Sequence, residues 1–105
     1  VSGSYEVEEY GNVAASLAVL AGIAASDAAC CSALGRRSRA QDHRDAEGLL
    51  REVRGAEQAA NDLRRLLSLK DEAQYGVIHV GSSDLKATLR LARHLVEFAE
   101  GVVRL

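Results

Sequence analysis

From Val13 to Gly35 the chain carries a single charged side chain, Asp27, in a run of small apolar residues that no proline interrupts. A segment this long and this apolar has two folded solutions: it crosses a bilayer, or it is a core helix of a bundle. Alanine makes up much of the run and is barely apolar enough to insert. A carboxylate near the bilayer centre would add a cost of about 3 kcal/mol. The expectation is therefore a soluble core helix, buried on most faces. The rest of the chain agrees. It has no proline, and Ala, Leu, Arg and Glu dominate, which points to an all-helical protein. Hydrophobic residues make up 48%, yet Tyr and Phe together number only four, so the core must be built from Ala, Leu and Val.

Four segments carry helical periodicity, and the expected fold is an all-α, up-and-down antiparallel four-helix bundle. The first helix spans about 12–34, starting nearer Ser4 at the earliest. Leu17, Leu20, Ala24, Ala28, Cys31 and Leu34 recur on one stripe. Gly22 and the alanines allow close approach of neighbouring backbones, and Gly35 suits the C′ position, where a left-handed residue closes a helix. The second spans 39–54, with Ser38 and Gln41 as a capping box and His43, Ala46, Leu50 and Val53 on one face. Gly48 in its middle suggests close packing. The third spans 56–72 with Ala59, Ala60, Leu63, Leu66, Leu67 and Lys70 facing inward. The fourth starts at Ser82 or Ser83, with Leu85, Leu89, Ala92, Val96, Ala99 and Val103 inward and Lys86, Arg90, Arg93, Glu97 and Glu100 toward water. Short connections make neighbouring helices antiparallel.

At 105 residues the chain is one domain, 1–105, with 1–11 as an N-terminal stub, poorly ordered or left over from a preceding helix. It begins at Val1 and has no Met, so upstream residues are expected. A net charge of −2 gives no global attraction to nucleic acid or anionic membrane. The acidic start (Glu6, Glu8, Glu9) is unlike a secretory signal, so a cytoplasmic protein is expected.

Few constellations carry chemistry. Cys30 and Cys31 diverge by about 100° on a helix and have no CxxC mate, which argues for two small buried residues in a reducing compartment. The histidines His43, His79 and His94 have no HExxH or ExxH spacing, so no metal or other cofactor is implied. His94 belongs to a solvated face. Asp27 in its apolar helix needs a partner, for which His43, Arg44, Lys70 and Tyr75 are the candidates. Arg36, Arg37, Arg39 and Arg44 form the basic cluster; the first two follow a helix C-terminus, where the dipole favours cations, and the set could also meet phosphate.

Three blocks, taken in order, resemble a HEPN domain. AGIAASDAACCSALGRRSRAQDHRDAEGLL (21–50) is similar to that family's small-residue helix followed by a loop and an H-x-x-A-x-x-L-L helix, with His43 at the histidine. LLSLKDEAQYG (66–76) is similar to its L-x-x-L-R-x-x-A-x-Y-G segment, and VGSSDLKATLRLARHLVEFAE (80–100) to its serine-capped last helix. The resemblance covers about 10–105 and implies a compact bundle, a homodimer, and a setting beside a nucleotidyltransferase in a toxin–antitoxin or related system. It also implies, for many members, metal-independent RNase activity through an Arg-x(4–6)-His motif.

That motif is missing between 64 and 80: Lys70 stands where arginine is usual and Tyr75 where a catalytic histidine could be. Arg37 does stand before His43 with five residues between them, but in the wrong helix pair. The expectation is a non-catalytic partner or a nucleotide/RNA-binding module with its surface at Asp27, His43, Arg44, Lys70, Tyr75, Arg36, Arg37 and Arg39. The alternatives are a divergent RNase toxin, or an interaction domain that docks through the face of 13–31.

Overall fold

The computed structural model describes the backbone of residues 2–37, 44–74 and 82–104, and the side chains of 13–37, 45–69 and 85–104. Four helices follow one another: α1 (Ser2–Leu34), α2 (Arg44–Arg51), α3 (Glu57–Gln74) and α4 (Ser82–Val103). The fold is the all-α bundle that the periodicity predicts, with no strand among the described residues. The longest dimension is 49 Å and is set by α1, against which α4 packs along most of its length. α3 lies against both, and the short α2 closes one end on α3 and α1.

α1 begins at Ser2, so the acidic segment before Gly11 is part of the same helix. Its end is set by Gly35, whose φ of 73° is cheap only without a Cβ and whose N–H donates to the Cys31 carbonyl at 3.0 Å. That bond caps an otherwise orphaned carbonyl. α2 tightens as it ends: the N–H groups of Glu52 and Val53 donate to the carbonyls of Leu49 and Leu50, three residues back. Gly55, at φ 78°, then turns the chain, and the Ala56 carbonyl accepts from the Ala60 N–H at 2.8 Å to start α3. The sequence places the second helix over 39–54; the described helix is shorter because these terminal turns are not α-helical, and 38–43, with the Ser38 box, lie outside the described residues.

The core is built from leucines of α2, α3 and α4 set against alanines, Gly22, Val19 and Ile23 of α1. Leu50, Leu63, Leu66, Leu95 and Cys30 are its largest fully buried side chains. α1 contributes Ala15, Ala18, Val19, Ile23, Ala25 and Ala29, and a methyl group on Gly22 would collide with Leu66 and come within 3.2 Å of Leu95. The close approach expected at Gly22 is therefore present. The one expected at Gly48 is absent: Gly48 is exposed, with nothing near where a Cβ would sit.

Two faces differ from the sequence expectation. On α1 the buried stripe is the one just described; Leu17, Leu20, Ala24, Ala28 and Cys31 point away from the bundle. α1 is apolar on nearly all sides, so periodicity alone cannot choose its inner face. The bulk of Leu66 and Leu95 chooses it, because the stripe that contains Gly22 lets α1 sit close to them. On α4 the buried residues are Thr88, Leu91, Ala92, Leu95 and Ala99, whereas Leu89 and Val103 are exposed. Lys86, Arg90, Arg93, Glu97 and Glu100 face water as expected.

Candidate functional site

The polar set singled out from the sequence is placed only in part. Asp27 lies on α1, half-buried, with no hydrogen-bond or ion-pair partner among the described residues. Arg36 and Arg37 follow Gly35 and are exposed. Arg36 is engaged within the chain: its guanidinium donates to Glu52 Oε1 at 2.6 Å, tying the end of α1 to the end of α2. Arg44 opens α2 and Lys70 lies in α3, but their side chains, and all of Arg39, His43 and Tyr75, are outside the described residues.

Cys30 and Cys31 part company. Cys30 is buried and Cys31 is exposed, so only one of the two is the core residue expected. Burial pushes the Cys30 thiol above its ordinary value, and the charge of Asp27 pushes the same way. Ser26 Oγ, beside Cys30, is buried with no hydrogen-bond partner among the described residues. Among the described residues no group of His, Cys, Asp and Glu could hold a metal ion.

Nothing in the apolar spacing of α3 marks Asp62. It is buried on α3, accepts from Gln58 Nε2 at 3.0 Å, and faces His94 Nδ1 at 3.7 Å across the α3–α4 contact. His94 itself is half-exposed, on the solvated face expected of it. Nearby, Arg51 donates to both Glu47 Oε1 and Asn61 Oδ1 at 2.8 Å, locking α2 onto α3. These contacts join helices.

The most unusual surface is apolar. Val13, Leu17 and Leu20 are 53%, 61% and 60% exposed along one line of α1. The line continues through Ala24 and Ala28 to Cys31, and no charged residue interrupts it before Asp27 at its edge. Beside it an open groove of about 400 Å³ separates α1 from α4, walled by Ala21, Ala24, Ala28, Val96, Ala99 and Val103. Its rim carries Glu100 and Arg104, 3.8 Å apart. Single exposed leucines are ordinary, but a continuous apolar strip beside an apolar groove marks a contact surface. The Val13–Leu34 stretch is also long and apolar enough to cross a membrane, and less than half of it is buried, so it is not the helix buried on most faces that was expected. Its alanine-rich, glycine-containing inner face is committed to Leu66 and Leu95, contacts that a free-standing span would give up.

No family model, curated protein or solved structure matches this chain.

Proposed function

We propose that the protein is a HEPN-like, non-catalytic partner domain of the cytoplasm, working by protein–protein docking through the apolar α1–α4 face. The observation that carries this is the exposed line Val13, Leu17, Leu20, which leaves three large aliphatic side chains in water along one helix. Covering a buried-sized leucine is worth about 1.5–3 kcal/mol, so an occupant of this face gains substantially. Free cysteines suit a reducing compartment. The partner that covers it is a second copy or a nucleotidyltransferase of the same system. The RNA- or nucleotide-binding alternative leans on the arginines, and Arg36 is already engaged by Glu52.

Two measurements on the purified protein test the role together. Filter binding with structured and single-stranded RNA, with and without EDTA, is expected to show neither retention nor cleavage. Native mass spectrometry of protein purified from its own cells is expected to show a stoichiometric protein complex that Leu17→Glu dissolves. RNA retention or cleavage that depends on Arg36, Arg37 or His43 would overturn the docking role.

A further inference from the structure

We infer that the occupant of the α1–α4 face is an amphipathic helix of another protein, with acidic residues along one flank, an assignment that rests on the docking role proposed above and names the chemistry of the partner. Register, shape and charge point to it.

The register comes from Gly22. A methyl group there would come within 3.2 Å of Leu95, so these two residues mark one level of α1 and α4. Beyond that level the helices share the groove, with Ala24, Ala25 and Ala28 on one wall and Val96, Ala99 and Val103 on the other. Residues after Gly22 thus face residues after Leu95, and α1 and α4 run in the same direction. Counting back by equal steps puts Leu20 level with Arg93, Leu17 with Arg90, and Val13 with Lys86. One half of the face is therefore bulky and apolar on α1 and basic on α4. The other half is the alanine-walled groove.

The shape is a seat for a helix. Two helices side by side leave a trough between them, and small residues on its walls let a third backbone come close. From Val13 to Cys31 the trough runs about 27 Å, the length of a helix of about 18 residues. Leu17, Ala21, Ala24 and Ala28 recur at three- and four-residue steps on the α1 side; Leu89, Val96 and Val103 recur every seventh residue on the α4 side. That spacing meets the apolar stripe of an amphipathic helix. A flat lipid surface cannot fill a concave groove of about 400 Å³, and none of its lining residues is aromatic, so it offers a nucleobase nothing to stack on.

Charge fixes the flank. Lys86, Arg90 and Arg93 stand exposed within about two turns of α4, and none has an ion-pair partner among the described residues. No acidic residue lies between Lys86 and Arg93. The next acids along α4 are Glu97 and Glu100, and Glu100 faces Arg104 at 3.8 Å. The chain as a whole carries a net charge of −2, so this row of cations is a local feature. An occupant with aspartates or glutamates toward α4 neutralises the row; one with lysines or arginines there is repelled. A second copy offers no such flank, because its own exposed apolar face, on α1, has Asp27 as its single acid between 13 and 34.

Carbodiimide coupling and charge reversal test the arrangement. In the complex isolated from its own cells, zero-length coupling joins an amine to a carboxylate in contact with it. Lys86 is expected to link to an aspartate or glutamate of the partner, in a segment with apolar residues at every third or fourth position. Arg90→Glu/Arg93→Glu, two exposed changes whose folding is checked by helicity and cooperative unfolding, is expected to weaken the complex about tenfold or more at low salt, and less at about 0.5 M salt. A synthetic helix of about 18 residues, with leucines at that spacing and glutamates on one flank, should bind wild type about tenfold more tightly than the same peptide with lysines on that flank. The preference should reverse on the double variant. Equal binding of the two peptides would overturn the acidic flank. A complex that Leu17→Glu dissolves but Arg90→Glu/Arg93→Glu leaves intact would overturn the acidic helix while the docking role stands; a complex indifferent to both would overturn the docking role as well. Flotation with phosphatidylserine vesicles, or RNA retention, that depends on Arg90 and Arg93 would replace the helix with a lipid surface or a phosphate backbone.

Discussion

Leu95 and Leu89 lie on the same helix and differ in chemistry not at all, yet they are expected to respond very differently to truncation. Leu95 is 1% exposed and packs among the α1 and α3 core residues; Leu89 is 46% exposed. Leu95→Ala removes about three buried carbon groups at roughly 0.8 kcal/mol each, and the cavity left behind brings the expected loss to about 3–4 kcal/mol. Leu89→Ala forfeits about half of that transfer energy and leaves no cavity, so about 1 kcal/mol is expected. Alanine's higher helix propensity trims both slightly. In urea the Leu95 variant should lose most of its midpoint with the slope unchanged, and its Tm should fall by about 12–32 °C for a domain of this size. The Leu89 variant should fall by about 4–8 °C. Equal losses, or a larger loss at Leu89, would refute the placement of the α4 face, because the periodic stripe read from the sequence runs through Leu89 and not Leu95.

The glycines separate backbone from packing effects: Gly48→Ala, on an exposed helix position with open space, should stabilise by about 0.5–1 kcal/mol, while Gly35→Ala, at φ 73°, should destabilise by about 1 kcal/mol in the same urea titration. Ser26→Ala removes a buried hydroxyl that has no partner among the described residues and should be neutral or stabilising by about 1 kcal/mol. In thiol labelling Cys31 should react at once and Cys30 only on unfolding. The raised Cys30 thiol keeps its proton in the folded state after the unfolded chain has begun to lose it, so stability falls as pH rises above about 9, the ordinary thiol value, and Cys30→Ala should remove that part of the alkaline slope.

Much of the fold was legible because it rests on local signals. The absence of proline, the αL glycine at 35 and the apolar spacing of α3 and α4 each specify helix or helix end without reference to a neighbour. The inner faces of α1 and α4 were not legible, for a physical reason in each case. On α1, apolar residues occupy nearly every direction, so the choice of face belongs to the partner helices: bulky Leu66 and Leu95 select the stripe containing Gly22. On α4, two stripes share Ala92 and Ala99 and are offset by a fraction of a turn, and the buried one is chosen by contact with α1 and α3. The buried Asp62 was equally invisible, since its tolerance depends on Gln58 one turn away and His94 on another helix. For the site, the sequence offered docking through the 13–31 face of α1 as one functional alternative and took the same residues as core; their exposure became readable only with the bundle assembled.

The most direct measurement is carbene footprinting of the purified single chain and of the complex isolated from its own cells, read residue by residue by mass spectrometry. If the outward face of α1 is open in the single chain and covered by a protein partner, labelling of Leu17 and Leu20 is high in the chain alone and drops together in the complex, while labelling of half-buried Leu49 on α2 stays constant. Labelling of Leu17 and Leu20 that is already low in the chain alone, or that stays high in the complex, would contradict the docking role.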